Sequence, residues 1–273
     1  THRTTHSASR RTSLYGVSAR LDAMSHGGER EGDEVGHYKL LTELGTGGFG
    51  TVWLAKRTCD FEQKVAIKIV KQGLDSEAVL ERFGQEIQLL ALMDHPHVAK
   101  VFDAGTTPSG RPYFVMDHVD GRPLTKFADE HRLTIEERLR LFLQVCDAIQ
   151  YAHYKEIVHR DLKPSNILVD GQGRAPRVRI IDFGVAKLVG FDALRTETRQ
   201  GPTAATPAYM SPERLMGEED TPAADVFSLG ITLYELLTLE SFGKIPVRPE
   251  RFEAVVADRV ASVDLSSLPD VAQ

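Results

Sequence analysis

The chain has 273 residues, with 33 Lys and Arg against 39 Asp and Glu, a formal net charge of −6, and 41% hydrophobic residues. It is long enough to bury a real core, and its mild acidity argues against a protein built to grip nucleic acid phosphates, which needs a basic surplus. Cys59 and Cys146 are too few for a disulfide framework or a cysteine-rich zinc site, and no apolar run reaches the ~18 residues of a membrane span, so a reducing cytoplasm is the expected setting.

Residues 1–35 are rich in Ser, Thr, Arg, His and Gly and read as a flexible N-terminal arm, because they hold too little apolar surface to offset ordering entropy. The Arg10-Arg11 pair near Ser13 reads as part of a solvated tail. The pattern changes at His37. Tyr38 to Leu44 reads as a strand, then a glycine turn, then a strand at Thr51 to Ala55, then a third from Lys64 to Val70. In that third strand Val65, Ile67 and Ile69 share one face; Ala66, Lys68 and Val70 share the other. A helix follows, capped by Asp75 or Ser76, with Leu80, Phe83, Ile87 and Leu90 on one face. Val98 to Phe102 and Tyr113 to Met116 read as two more strands, so the first third is a mainly antiparallel sheet with one helix.

The rest reads as mainly helical. Thr134 and Glu137 form a capping box ahead of a long helix faced by Leu139, Phe142, Cys146 and Ile149. Ile167 to Val169 and Val178 to Ile181 read as a small hairpin, and a Thr-rich loop spans residues 185–210. Thr221-Pro222 opens a helix to Leu239 that is apolar on nearly all sides, as a buried central helix would be.

Three motifs carry chemistry. Gly45-Thr-Gly47-Gly-Phe-Gly50 is followed by a strand, which favours a backbone flap over phosphates rather than a dinucleotide site, where a helix would follow. Lys68 lies on the Ala66 side of its strand, within reach of phosphates under that flap. Its burial demands a counter-charge, for which Glu86 on the next helix is the candidate. His159-Arg-Asp-Leu-Lys-Pro-Ser-Asn166 precedes Asp182-Phe-Gly184 by sixteen residues. Asp161 can accept a hydroxyl proton and Lys163 can neutralise a moving phosphoryl group. Asn166 and Asp182 offer hard oxygen ligands for Mg²⁺.

Together these residues resemble the protein kinase family, in the bacterial serine/threonine style, from His37 to Leu239. The resemblance implies an α+β, two-lobed fold: a sheet lobe and hinge over residues 36–119 and a helical lobe over 120–273. It implies ATP in the cleft, contacted by Leu44, Gly45, Gly47, Gly50, Val52, Ala66, Lys68 and Leu168. Met116 stands at the gatekeeper position and Asp117, His118 and Val119 at the hinge. Asp161, Lys163, Lys68 and Glu86 are implied as catalytic and Asn166 and Asp182 as Mg²⁺ ligands. The resemblance also implies Ser/Thr specificity, marked by Lys163, and a substrate-facing loop that holds Thr206 close to Asp161. Arg160 implies a phosphate partner on the activation loop, with Thr196, Thr198 and Thr203 as acceptors.

Ser211-Pro-Glu213 stands where the family has Ala-Pro-Glu, and Asp225 opens the buried helix. Phe227 replaces the usual Trp. Only sixty residues follow Glu213, and the arginine that pairs with it in the family has no matching counterpart: Arg248, Arg251 and Arg259 differ in context. The helical lobe is therefore expected to stop short, and the chain, which starts at Thr1, to be a piece of a longer protein. The expected function is transfer of the ATP γ-phosphoryl group to Ser/Thr hydroxyls of proteins, with self-association for autophosphorylation. The alternative is a nucleotide-binding pseudokinase or scaffold. A small-molecule phosphotransferase ranks last, because such enzymes lack the Pro212-Glu213 segment.

Overall fold

Strands β1 (Glu34–Val35), β2 (Tyr38–Gly47), β3 (Gly50–Arg57), β4 (Lys64–Val70), β5 (Val101–Thr106) and β6 (Pro112–Asp117) form one sheet in the order β1-β2-β3-β4-β6-β5. Every pairing in it is antiparallel. The computed structural model describes residues 28–47, 50–59, 61–71, 77–171, 175–183, 207–218, 221–243 and 249–261. The expected caps Asp75 and Ser76 and the Leu80 side chain lie outside them.

The two faces of β4 divide as its alternation predicts. Val65, Ile67 and Ile69 join Tyr38, Leu40, Trp53 and Val115 in one core, while Ala66 and Val70 join Phe83, Ile87, Leu90 and Met116 in another. Helix α1 (Glu77–Ala91) supplies Phe83, Ile87 and Leu90 to that second core. The sheet begins inside the stretch expected as an arm. Val35 is buried, Gly32 N–H donates to Leu40 O at 2.9 Å, and Glu29 pairs with Arg111.

The second lobe holds β7 (Arg122–Pro123), α2 (Leu124–Glu130), α3 (Ile135–Tyr154), β8 (Ile167–Asp170), β9 (Arg177–Ile180), α4 (Pro212–Leu215), α5 (Pro222–Thr238) and α6 (Pro249–Ala261). The capping box at Thr134 forms: Glu137 N–H donates to Thr134 Oγ1 at 3.3 Å and Thr134 N–H to Glu137 Oε2 at 2.9 Å. The buried stripe of α3 is Leu141, Phe142, Val145, Ala148, Ile149 and Ala152, with the Arg138 guanidinium among them. Leu139 and Cys146, expected on this face, flank it instead: Leu139 is 39% exposed. The i, i+3, i+4 run that fits the core starts at Arg138, because three carbonyls meet that guanidinium: Leu133 O and Leu236 O at 2.8 Å and Ala128 O at 3.2 Å.

Helix α5 is also turned from expectation. Its inner side carries Asp225, Ser228, Thr232 and Glu235, each hydrogen-bonded, while Val226 is 60% exposed. Polar groups face inward because fixed backbone donors and acceptors meet them there. Val256 of α6 packs beside Ile231 and Phe242, and the Arg259 guanidinium lies 4.7 Å from the Phe242 ring centroid.

The lobes are joined by backbone behind α1. Ala99 N–H donates to Ile180 O and Ile180 N–H to His97 O, both at 2.8 Å, so β9 is zipped to the segment leading into β5. Among the described residues no helix is long and apolar enough to cross a membrane.

Candidate active site

The cleft between the lobes gathers the residues that the motifs singled out. Gly47 and Gly50 pair across the glycine turn, and β3 follows directly; Gly48 and Phe49 lie outside the described residues. Gly50 has φ +159°, and a Cβ there would sit 2.2 Å from Ile69 O, so only glycine lets the flap lie this close to β4. Beneath it Ala66 faces Met116 in the ladder, both are buried, and Val52 packs against their core. Leu44 is 49% exposed at the rim. Asp117, His118 and Val119 are half-buried where β6 leaves the sheet, and Leu168 is half-buried on β8.

Asp161 is held from two sides: Lys163 Nζ reaches its Oδ2 at 3.0 Å and Asn166 Nδ2 at 3.2 Å. Asn166 Nδ2 also donates to Asp161 O at 2.8 Å, and Ile181 N–H donates to Asn166 O at 2.9 Å. Residues 161–166 and Asp182 therefore share one frame. Arg160 and Asp182 adopt φ +67° and +59°, strained values for these residue types that the surrounding bonds hold in place.

That frame hangs on Asp225. Its carboxylate is 1% exposed and accepts from His159 N–H at 2.7 Å, Arg160 N–H at 3.0 Å and His153 Nε2 at 2.9 Å. Burial alone would raise this carboxyl, but the bonds from His153, His159 and Arg160 outweigh it and hold it below the ordinary value. Burial likewise pushes His159 down, opposed by Asp225, Asp161 and Asp182. Its Nδ1 accepts from Asp161 N–H at 3.3 Å, which leaves Nε2 to donate to Ile181 O at 3.3 Å. His159 is thus a neutral spacer, with its ring 4.5 Å from that of Phe183.

The counter-charge expected for Lys68 is different. Lys68 is buried and its Nζ pairs with Asp182 Oδ1, whereas Glu86 takes Arg160 Nη1 at 2.7 Å. The desolvation rule is met by another carboxylate: the one nearest the lysine tip comes from a turn 114 positions away, which spacing along the chain does not reveal. Arg214 donates to Arg160 O and so ties the segment after Pro212-Glu213 to the loop that carries Asp161. Glu213 is half-buried and has no ion pair among the described residues; Arg259 lies on Phe242 instead. Gly184, Thr196, Thr198, Thr203, Thr206 and Arg248, and the Arg251 side chain, lie outside the described residues.

Sequence reasoning missed His153, Arg214 and the Tyr209–Glu235 pair, in which the phenol donates to Glu235 Oε2 at 2.6 Å. Each is a polar residue on or beside a helix whose partner comes from another segment, and nothing in the local sequence identifies that partner.

A protein kinase domain family model matches residues 38–265. The serine/threonine-protein kinase Pkn1 of Myxococcus xanthus is 38% identical over 225 residues, covering 82% of this chain and 31% of that protein. The serine/threonine-protein kinase PknA of Mycobacterium tuberculosis is 38% identical over 209 residues, covering 74% of this chain and 47% of that one. The chain thus spans a third to a half of these relatives' length. A crystal structure of the Mycobacterium tuberculosis PknI kinase domain superposes with a TM-score of 0.63 at 25% identity, covering 85% of this chain and 86% of that one.

Proposed function

From the premise that this chain belongs to the protein kinase family and has its two-lobed fold, we propose that it is a serine/threonine protein kinase that uses MgATP. The observation that carries the reading is the Lys163–Asp161–Asn166 cluster, set on the same frame as Asp182. Asp161 takes the proton of the attacking hydroxyl, and Lys163 beside it meets the negative charge of the transferring group. The oxygens of Asn166 and Asp182 suit a hard cation, because Asn166 spends its amide N–H on Asp161 and leaves its carbonyl oxygen for a ligand. Bound there, Mg²⁺ would supply charge neutralisation at the phosphates.

ATP phosphates entering beneath the flap compete with Asp182 for Lys68. A phosphate on the loop after Asp182 competes with Glu86 for Arg160. Substrates are proteins with exposed Ser or Thr hydroxyls, including a second copy of the chain, with the cytoplasm as setting.

The test is phosphate incorporation by the purified chain with Mg²⁺ and ATP. Asp161→Asn should lower it by about 10²–10⁴-fold, with thermal stabilisation by MgATP retained. Equal labelling by the two proteins rejects the assignment. Stabilisation by MgATP with no turnover in the wild type favours the scaffold alternative.

A further inference from the structure

A groove of about 340 Å³ lies behind the hinge, lined by Asp117, His118 and Val119 on one side and Arg177 and Arg179 on the other. Asp117 ends β6 and opens the hinge. Its Oδ2 accepts from Lys100 N–H at 3.0 Å and from Arg179 Nη2, while Nη1 of the same guanidinium reaches Pro96 O at 3.4 Å. Across the β8–β9 ladder Arg179 stands opposite Leu168. Asp117 stands beside Met116, whose ladder partner is Ala66. One guanidinium therefore ties the strand end that leads into the hinge to β9, the ladder partner of β8, on which Leu168 forms the expected floor of the adenine slot.

We propose that Arg179 is a positioning residue for nucleotide binding: acting through Asp117, it fixes the spacing between hinge and floor. The proposal rests on the kinase reading above. Arg179 touches no part of the cleft chemistry, since Asp161, Lys163 and Asp182 are held by other partners. Its effect therefore falls on how readily the slot accepts adenine, not on phosphoryl transfer. A preformed slot binds without first ordering its walls, and a loosened one must be ordered at the expense of affinity. The two side chains are 28% and 26% exposed, so the pair is partly screened and its influence declines with salt.

The experiment uses the whole chain as wild type, Arg179→Gln and Arg179→Lys. ATP KM and kcat are measured on a generic protein substrate, with MgADP Kd by calorimetry, at low and high salt. A partly exposed ion pair of this kind is worth up to about fivefold in an equilibrium constant. Arg179→Gln should raise KM and Kd about two- to fivefold and leave kcat within about twofold. Arg179→Lys should fall between, and raising salt should weaken the wild type toward the Gln variant. Unchanged KM and Kd in an active, folded Gln variant overturn the proposal, as does a loss confined to kcat. If Arg179→Gln does not fold, the salt dependence of Arg179→Lys and the wild type decides in its place, and parallel salt slopes with equal KM overturn the proposal. A wild type that neither binds MgADP nor turns over ATP rejects the kinase reading, and the role of Arg179 falls with it.

Discussion

Asp225 is the position where a single atom change tests the architecture most directly. In Asp225→Asn one carboxylate oxygen becomes an NH₂ group. Placed at Oδ2 it would confront two donors, His159 N–H and His153 Nε2; placed at Oδ1 it confronts only Arg160 N–H. The cheaper rotamer leaves one buried donor unmet, about 1–3 kcal/mol, and weakens two charge-assisted bonds by about 1 kcal/mol each. The expected loss is about 3–5 kcal/mol, and Asp225→Ala, which strands all three donors, should cost more than Asp225→Asn. Urea titration by circular dichroism measures this. His153→Ala should cost about 1 kcal/mol alone and almost nothing in the Asp225→Ala background. The pH dependence has a definite sign. The folded carboxyl lies below its ordinary value, so its contribution is complete above about pH 4 and fades as pH falls toward the folded value. Asp225→Asn stability within about 0.5 kcal/mol of wild type, or an unchanged acid limb, would refute the reasoning.

Three further outcomes are expected. Burial, then the Asp103 carboxylate 3.2 Å away, pushes Tyr38 up to about 12, so stability complete below about pH 10 falls by on the order of 2–3 kcal/mol as pH rises to that value. Tyr38→Phe should flatten that alkaline limb, and an identical limb in the variant rejects the assignment. Gly50→Ala forces a backbone shift against Ile69 O and should cost about 2 kcal/mol or more, with weaker nucleotide binding by calorimetry; a neutral substitution contradicts the close approach. Glu86→Gln and Arg160→Gln should couple by about 1–2 kcal/mol in a double-mutant cycle on the nucleotide-free protein, whereas strictly additive costs would remove the pair.

The readability of this sequence depends on the range of the interaction. The β4 alternation, the capping box and the glycine flap depend on neighbours a few residues apart, so periodicity and residue type suffice. The burial of Lys68 was equally legible, since an apolar strand carries it. Its partner was not, because Glu86 and Asp182 are both reachable carboxylates and only the lobe geometry selects between them. The buried side of α5 is hidden from the sequence for a related reason. Apolar composition suggests all-round burial, but Asp225, Ser228 and Glu235 turn inward toward hydrogen-bond partners outside the helix. The role of Arg179 is invisible in sequence, where it is one more basic residue on a short strand.

The backbone zip between residues 97–99 and β9 bears on how the molecule folds. His97 and Val178 are 81 positions apart, and the imidazole Nδ1 lies 3.0 Å from the Val178 carbonyl. A contact of that sequence separation forms late and slowly, since the intervening loop must close first. The segment leading into β5 has its backbone partners in β9, so the sheet lobe cannot complete its own hydrogen bonding before the second lobe is in place. These bonds couple the two lobes: a fragment cut at the hinge leaves backbone donors and acceptors stranded on both pieces, and a single melting transition is the expected outcome for the whole chain.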